Sequence, residues 1–194
     1  MRALMKAITN NDVAQIRALL QEGVDLNQRY LADYPLQAAI RTGSLDLVQA
    51  FLESGVDVNF VYGEPEQRNR KTALLFAVQL NQPEICRFLL AQGADPNYLQ
   101  TDESRNEDQT PLEIAIQRNH QEVFDVLLPH TDLSLGRGLH YEGRHIHLAC
   151  RAGHLEMVRG LLEAGVDVNL RGGVNELTPL HVTVEQRRLA EIAV

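Results

Sequence analysis

Short apolar stripes of helical spacing alternate along this chain with polar, turn-forming stretches. Ile16, Leu19 and Leu20 stand at i, i+3, i+4, as do Val48, Phe51 and Leu52, and Val158, Leu161 and Leu162. A shorter apolar set precedes such stripes: Leu36, Ala39 and Ile40; Leu74, Ala77 and Val78; Leu112, Ala115 and Ile116; Ile146, Leu148 and Ala149. One narrow stripe per segment predicts paired short helices, each burying a single face. The stretches between pairs carry Tyr, Gly and Pro and predict extended turns.

The pairs recur with a period. Gly-x-Asp-x-Asn appears at Gly23–Asn27, Gly55–Asn59, Gly93–Asn97 and Gly165–Asn169. The intervals between its glycines are 32, 38 and 72 residues, the last being two periods of 36. The missing member is Leu128–Ser134, which keeps an Asp and loses the Gly. A Gly just past the second helix accepts the left-handed backbone that ends a helix. Thr110-Pro111 and Thr178-Pro179 supply a capping hydroxyl and a proline at helix starts, Tyr34-Pro35 keeps only the proline, and Pro83 opens a second helix. Small alanines at Ala7, Ala39, Ala77, Ala115 and Ala149 allow adjacent units to stack closely.

Thr178-Pro-Leu-His181, Gly153-His154, Leu161-Leu162 and Gly165-Val-Asp-Val-Asn169 resemble the ankyrin repeat. The resemblance covers nearly the whole chain, read as one domain over 1–194: units at 3–27, 34–59, 72–97, 110–134 and 144–169, and a partial sixth at 178–194. It implies an all-α ankyrin-repeat solenoid of helix–turn–helix units with protruding β-hairpin turns. It also implies a protein-binding surface and no chemistry intrinsic to the fold.

Departures from that pattern carry information. Asn59 to Thr72 and Asn97 to Thr110 each span 13 residues, where the family has about eight, so two hairpins are lengthened. The fourth unit has Pro129-His130 near the usual Gly, and the turn after it, with Gly136, Gly138 and Gly143, is expected to be irregular. In the sixth unit Thr183 replaces the stacking Ala and Arg187-Arg188 replaces Gly-His. Its first helix is expected over Leu180–Glu185, with a second stopping at Ile192–Val194 without a Gly cap. Repeat arrays end in a polar cap, because the last unit otherwise exposes its stacking face. This edge is therefore expected to continue past Val194 or to support self-association.

Composition narrows the function. The 194 residues carry 26 acidic and 18 basic side chains, a net charge of −8. That argues against duplex DNA or an anionic membrane as partner, since both are bound through clustered Lys and Arg. The longest apolar run, Ala73–Val78, is far too short to span a bilayer, and the amino terminus lacks a secretory apolar stretch. Two cysteines, Cys86 and Cys150, cannot build a disulfide framework and fit a reducing, cytoplasmic location.

Candidate chemistry is sparse. His147, Cys150 and His154 stand at i, i+3, i+7, with His140 and His145 nearby, a donor set zinc favours. The resemblance gives the imidazoles of His120, His147, His154 and His181 a role in tying turns, and Cys150 fills an Ala slot of the packed stripe. Cys86 lies among Ile85, Phe88 and Leu89 as a buried thiol. The Asp-x-Asn pairs read as side chains that hydrogen-bond their own turns rather than as calcium ligands. No nucleophile elbow, phosphate-cradling Gly loop or His-Glu-x-x-His segment occurs. No enzyme, metal or cofactor is expected.

The hairpins carry the binding expectation. All five tyrosines, Tyr30, Tyr34, Tyr62, Tyr98 and Tyr141, fall in turns, with Phe60 in a hairpin. Tyr34, beside Pro35, is the one expected to cover its own turn. Residues 60–71 carry a balance of +1, including Arg68 and Arg70; residues 98–109 carry −3, including Asp102 and Glu103. Tyrosine supplies rigid area with a polar tip, and charge steers association. The chain is thus read as a non-catalytic adaptor or scaffold. Its partner protein is expected on the concave hairpin and first-helix surface, with Tyr62, Tyr98 and Tyr141 as anchors. The alternative is a regulatory or targeting fragment of a larger enzyme or secreted effector.

Overall fold

The computed structural model describes residues 2–24, 26, 29, 34–63, 70–102, 107–134, 144–172 and 176–192, the backbone alone at 101, 102, 107, 108 and 186–192. Two compact units divide the chain, 1–109 and 110–194.

In the first unit the helices come in pairs: α1 (Arg2–Thr9) with α2 (Val13–Gln21), α3 (Pro35–Thr42) with α4 (Leu45–Glu53), and α5 (Ala73–Gln79) with α6 (Pro83–Ala91). The first helices α1, α3 and α5 pack side by side, and α2, α4 and α6 form a second row behind them. Strands β1 (Gln100–Asp102) and β2 (Glu107–Gln109) close this unit as an antiparallel hairpin, Gln100 opposite Gln109 and Asp102 opposite Glu107. In the second unit α7 (Pro111–Arg118) pairs with α8 (Gln121–Leu127), which runs into a 3-10 turn at Leu128–His130. There α9 (Arg144–Ala152) packs on α7, α10 (Leu155–Glu163) and α11 (Pro179–Ile192).

A spacing rule holds these pairs together. Counting from the position of Thr72 and Thr110, the ninth residue on is Asn11, Gly43, Asn81, Asn119 or Gly153. All five have positive φ, between 53° and 75°. That left-handed residue ends the first helix, and Asn tolerates it nearly as well as Gly. The next N–H then turns back: those of Asp12, Gln82, His120 and His154 donate to the carbonyls of Ala7, Ala77, Ala115 and Ala149 at 2.9–3.1 Å. Each of these alanines is fully buried, as is Ala39, so the small residue sits at the tightest point of the stack.

Second helices end on the expected glycines, Gly23, Gly55, Gly93 and Gly165, at φ of 78–90°. In the fourth pair, which lacks that Gly, Thr131 closes the 3-10 turn by donating its hydroxyl to the Leu127 carbonyl at 2.9 Å. The core is the repeated stripe. Leu4, Leu36, Leu74, Leu112 and Ile146 occupy one equivalent position and are all completely buried, each contributing about 1.5–3 kcal/mol.

The sixth unit departs from its expected form. α11 runs unbroken from Pro179 to Ile192 rather than as two helices. Arg187 stands nine residues after Thr178, where every earlier pair has Asn or Gly. With no residue suited to a left-handed turn, the helix simply continues. Leu180, at the equivalent position to the five buried residues, is 70% exposed, and Val184 is 49% exposed.

Candidate functional site

The turns are built by local carboxylates. Asp57, Asp95 and Asp167 each accept the backbone N–H two residues on, at 2.8–2.9 Å, and Asp132 does the same for Ser134. This is the own-turn role read from the Asp-x-Asn pattern. Asn59 does more. Its Nδ2 donates to the Gly93 carbonyl at 3.0 Å, and its Oδ1 accepts the Asp95 N–H at 2.8 Å. One side-chain amide thus fastens a turn to its successor.

Beyond the turns the hairpins close differently. Tyr62 and Lys71 exchange backbone hydrogen bonds of 2.9 and 3.1 Å, and Gly172 and Leu177 form an equivalent bridge. Tyr34, Phe60 and Tyr62 make an aromatic cluster, with centroids 4.8 Å apart for Phe60–Tyr62 and 4.9 Å for Tyr34–Tyr62. This arrangement corrects one expectation. Tyr62 is 2% exposed and cannot act as an exposed anchor, because its ring packs against those of Tyr34 and Phe60. Burial, with Asp57 nearby, pushes its phenol pKa up. Its Oη has no hydrogen-bond partner among the described residues.

The remaining residues expected at the surface separate as follows. Phe60 is half-buried against Tyr34 and Tyr62. Arg70 is half-buried, its Nε enclosed. Tyr98 is half-buried beside Leu99, which is 47% exposed. Asp102 lies on β1 opposite Glu107, its side chain outside the described set. Tyr30, Arg68, Glu103 and Tyr141 lie outside the described residues.

A group absent from those expectations lies on the first helices. The Arg41 guanidinium sits 5.6 Å from the centre of the Phe76 ring, within range of a cation–π attraction. One turn on from Phe76, Gln79 accepts from Lys71 Nζ at 2.7 Å and donates to Gln100 at 3.1 Å. That second bond ties the end of α5 to β1. Leu80, next along the chain, is 40% exposed. The sequence signal was periodic: Arg41 and Gln79 fall two residues before the left-handed turn of their helices, on the side opposite the buried Leu and Ala.

Three histidines make local polar contacts. His147 Nε2 donates to the Leu177 carbonyl at 2.7 Å, tying α9 to the following hairpin. The Thr178 hydroxyl and His181 Nδ1 are 2.7 Å apart. His145 is buried 3.4 Å from the Thr110 hydroxyl, and desolvation, with the Arg144 charge second, pushes its pKa down to about 4. Both cysteines are free; burial pushes the Cys86 thiol up to about 12. Among the described residues no three His, Cys, Asp or Glu side chains are placed to hold a metal, and no helix is long and apolar enough to cross a membrane.

Stacked helix pairs, Gly-ended second helices and Asp-braced turns define an all-α helix-pair repeat protein. The family model for ankyrin repeats in three copies matches residues 4–100 and 63–137, and that for a single ankyrin repeat matches 146–173. The chain belongs to the ankyrin-repeat family, whose repeats are protein–protein interaction modules. Among curated proteins it is similar to the NF-kappa-B inhibitor cactus of Drosophila yakuba and of Drosophila melanogaster. Each is 46% identical over 46 residues, 23% of this chain and 9% of the relative, so the matched segment is a small part of those proteins. Among solved structures it is similar to the human ASB11 ankyrin repeat domain, with TM-score 0.68 and 22% identity over 98% of this chain and 83% of that one. It is also similar to a chain in the complex of the Bdellovibrio bacteriovorus predatory endopeptidase Bd0816 with immunity protein Bd3460. There the TM-score is 0.70 at 24% identity, over 97% of this chain and 94% of that one. At these identities the likeness is one of fold.

Proposed function

We propose that this chain is a non-catalytic adaptor or scaffold that binds a partner protein on the surface made by its first helices and hairpins. The observation that supports this reading most directly is the Gln79–Gln100 hydrogen bond. It joins α5 to β1, and the neighbours of that bonded pair, Leu80 and Leu99, are large apolar side chains left 40% and 47% exposed beside Tyr98. Exposed apolar side chains beside an aromatic, rimmed by polar groups, have the composition of a binding surface. The histidines and carboxylates described above are meanwhile engaged in turns and caps. The cactus proteins are named as inhibitors, and that match supports action by binding. The free thiols Cys86 and Cys150 support a cytoplasmic location. Exposed Leu180 and Val184 on α11 support self-association at that edge, which sedimentation over a concentration range tests.

The decisive experiment captures partners from a lysate and titrates the captured protein against Tyr98→Ala and Leu99→Ala. A second-helix control, Arg159→Ala on α10, accompanies them. Loss of binding in the first two alone upholds the reading; loss only in the control refutes it.

A further inference from the structure

The last helix pair of the second unit is incomplete. Residues 187–192 extend α11, so among the described residues none stands where a second helix would pack on α10. Burial at equivalent positions traces the step this leaves. Val158, seven residues before Gly165, is half-buried, whereas Ile16, Val48 and Cys86, at the same place before their glycines, are fully buried. Leu162, three residues before Gly165, is 38% exposed, whereas Leu20, Leu52 and Leu90 are half-buried. On the first-helix side Cys150 is half-buried and Val184 exposed, where Ile40, Val78 and Ile116 are fully buried. Leu180 is the most exposed of the set, while Val182, on the opposite face of α11, is buried. So α11 stands one helix forward of α10, and each carries an apolar strip into the notch between them.

The amino-terminal edge is finished differently. There α1 and α2 form a complete pair, and Ala3, Lys6, Gln15 and Ala18 are exposed. Gln15 stands eight residues before its glycine, where Leu47, Ile85 and Met157 are buried. Small and polar residues close that end, as repeat arrays require. It therefore brings neither a forward helix nor an apolar strip to fill the notch beside α11. A second copy of the notched end brings both.

We propose that this chain forms a two-fold symmetric dimer in which α11 of each copy fills the notch of the other. A step of this kind is complementary to itself, which is what an isologous contact requires. Leu180 and Val184 of the two copies meet across the axis, and each α11 covers Val158 and Leu162 of the other copy. A helix in that place continues the row in which α10 already packs on α8. This rests on the self-association stated above and gives it a geometry; the surface at Tyr98 and Leu99 takes no part in it.

Sedimentation equilibrium of the purified chain, over about a hundredfold range of concentration, should show the mass rising from one chain to two and stopping there. Leu180→Glu and Val184→Glu each bury a charge in the joint and should weaken dimerisation about tenfold or more, with helicity retained because both positions are exposed in the single chain. Leu162→Glu on α10 should act likewise, and Lys6→Glu and Ala18→Glu at the other end should change nothing. Cys150, half-buried beside the joint, should react with an aromatic disulfide reagent more slowly at concentrations where the dimer forms, and at one constant rate in Leu180→Glu. A single-chain mass at every concentration overturns the proposal, as does a dimer that survives Leu180→Glu and Val184→Glu. Growth past two chains, or loss of association on Lys6→Glu or Ala18→Glu, overturns it in favour of head-to-tail stacking. If association beyond two chains is still abolished by Leu180→Glu, self-association at this edge stands and only the two-fold geometry fails.

Discussion

Glu113 and Arg144 form a buried ion pair, Oε1 to Nε at 3.1 Å, joining α7 to α9. The other carboxylate oxygen, Oε2, accepts the Thr110 N–H at 2.9 Å, completing a capping box with the Thr110 hydroxyl. One carboxylate therefore starts a helix and anchors its neighbour. Removing one member of such a pair leaves an uncompensated buried charge, costing about 3–5 kcal/mol, whereas replacing both with apolar groups costs far less. Glu113→Ala should destabilise the chain strongly in urea melts, and Glu113→Leu with Arg144→Met much less. Equal losses for the two variants would show that the pair is not what links these helices.

His145, beside that pair, predicts a pH dependence. Folded, it takes its proton only near pH 4; unfolded, near the ordinary value of about 6.5. Between those values the unfolded chain binds more protons, so stability is full above about pH 6.5 and falls as pH drops toward 4. The loss from this one group is about 3 kcal/mol. Urea midpoints across that range should fall for the parent chain, and less steeply for His145→Gln. Parallel curves would place the titration elsewhere.

Gly55 and Gly165 have φ of +90°, and a Cβ at either would meet nothing within 4 Å. Any cost of substitution is therefore backbone strain. Valine at either position should cost about 1–2 kcal/mol, and asparagine less. Gly160 differs: a Cβ there would approach Phe124 Cε1 to 3.1 Å. Denaturant melts should show Gly160→Val destabilising through packing against α8, with no relief from asparagine.

The two thiols should react at different rates. Cys86 is fully buried on α6, while Cys150 is half-buried, raised by burial and partly offset by a hydrogen bond with Thr183. An aromatic disulfide reagent at mildly alkaline pH should label Cys150 first and Cys86 only as the chain unfolds. Mass spectrometry of labelled peptides reads the order directly.

Much of this fold is legible because its determinants are local. The buried Leu and Ala positions, the glycines after second helices and the Asp-braced turns each depend on residues within one unit. The asparagines at 11, 81 and 119 were harder to see. Asn reads as an ordinary polar residue until its left-handed φ shows it doing the work of glycine. The unbroken α11 was written in Arg187, but only as the absence of a turn-former. The site was less legible than the fold. Tyr62 alternates with Phe60 as surface residues would, yet it is buried by Tyr34, 28 positions earlier in the chain. Arg41 and Phe76, 35 positions apart, become neighbours only through stacking, which no local pattern displays.

The constant spacing within each helix pair has a consequence for how such a chain varies. From Arg2 to Gly23, Tyr34 to Gly55, Thr72 to Gly93 and Arg144 to Gly165 the interval is always 21 residues, while the connectors that follow Gly23 and Gly55 differ, 11 residues to Tyr34 and 17 to Thr72. Lengthening a connector by that much adds only about 0.4 kcal/mol of closure entropy. An insertion inside the 21-residue block would shift every buried side chain after it off its stripe. A change of length is thus tolerated in the connectors between helix pairs, where it leaves the packed stripe of the core in register.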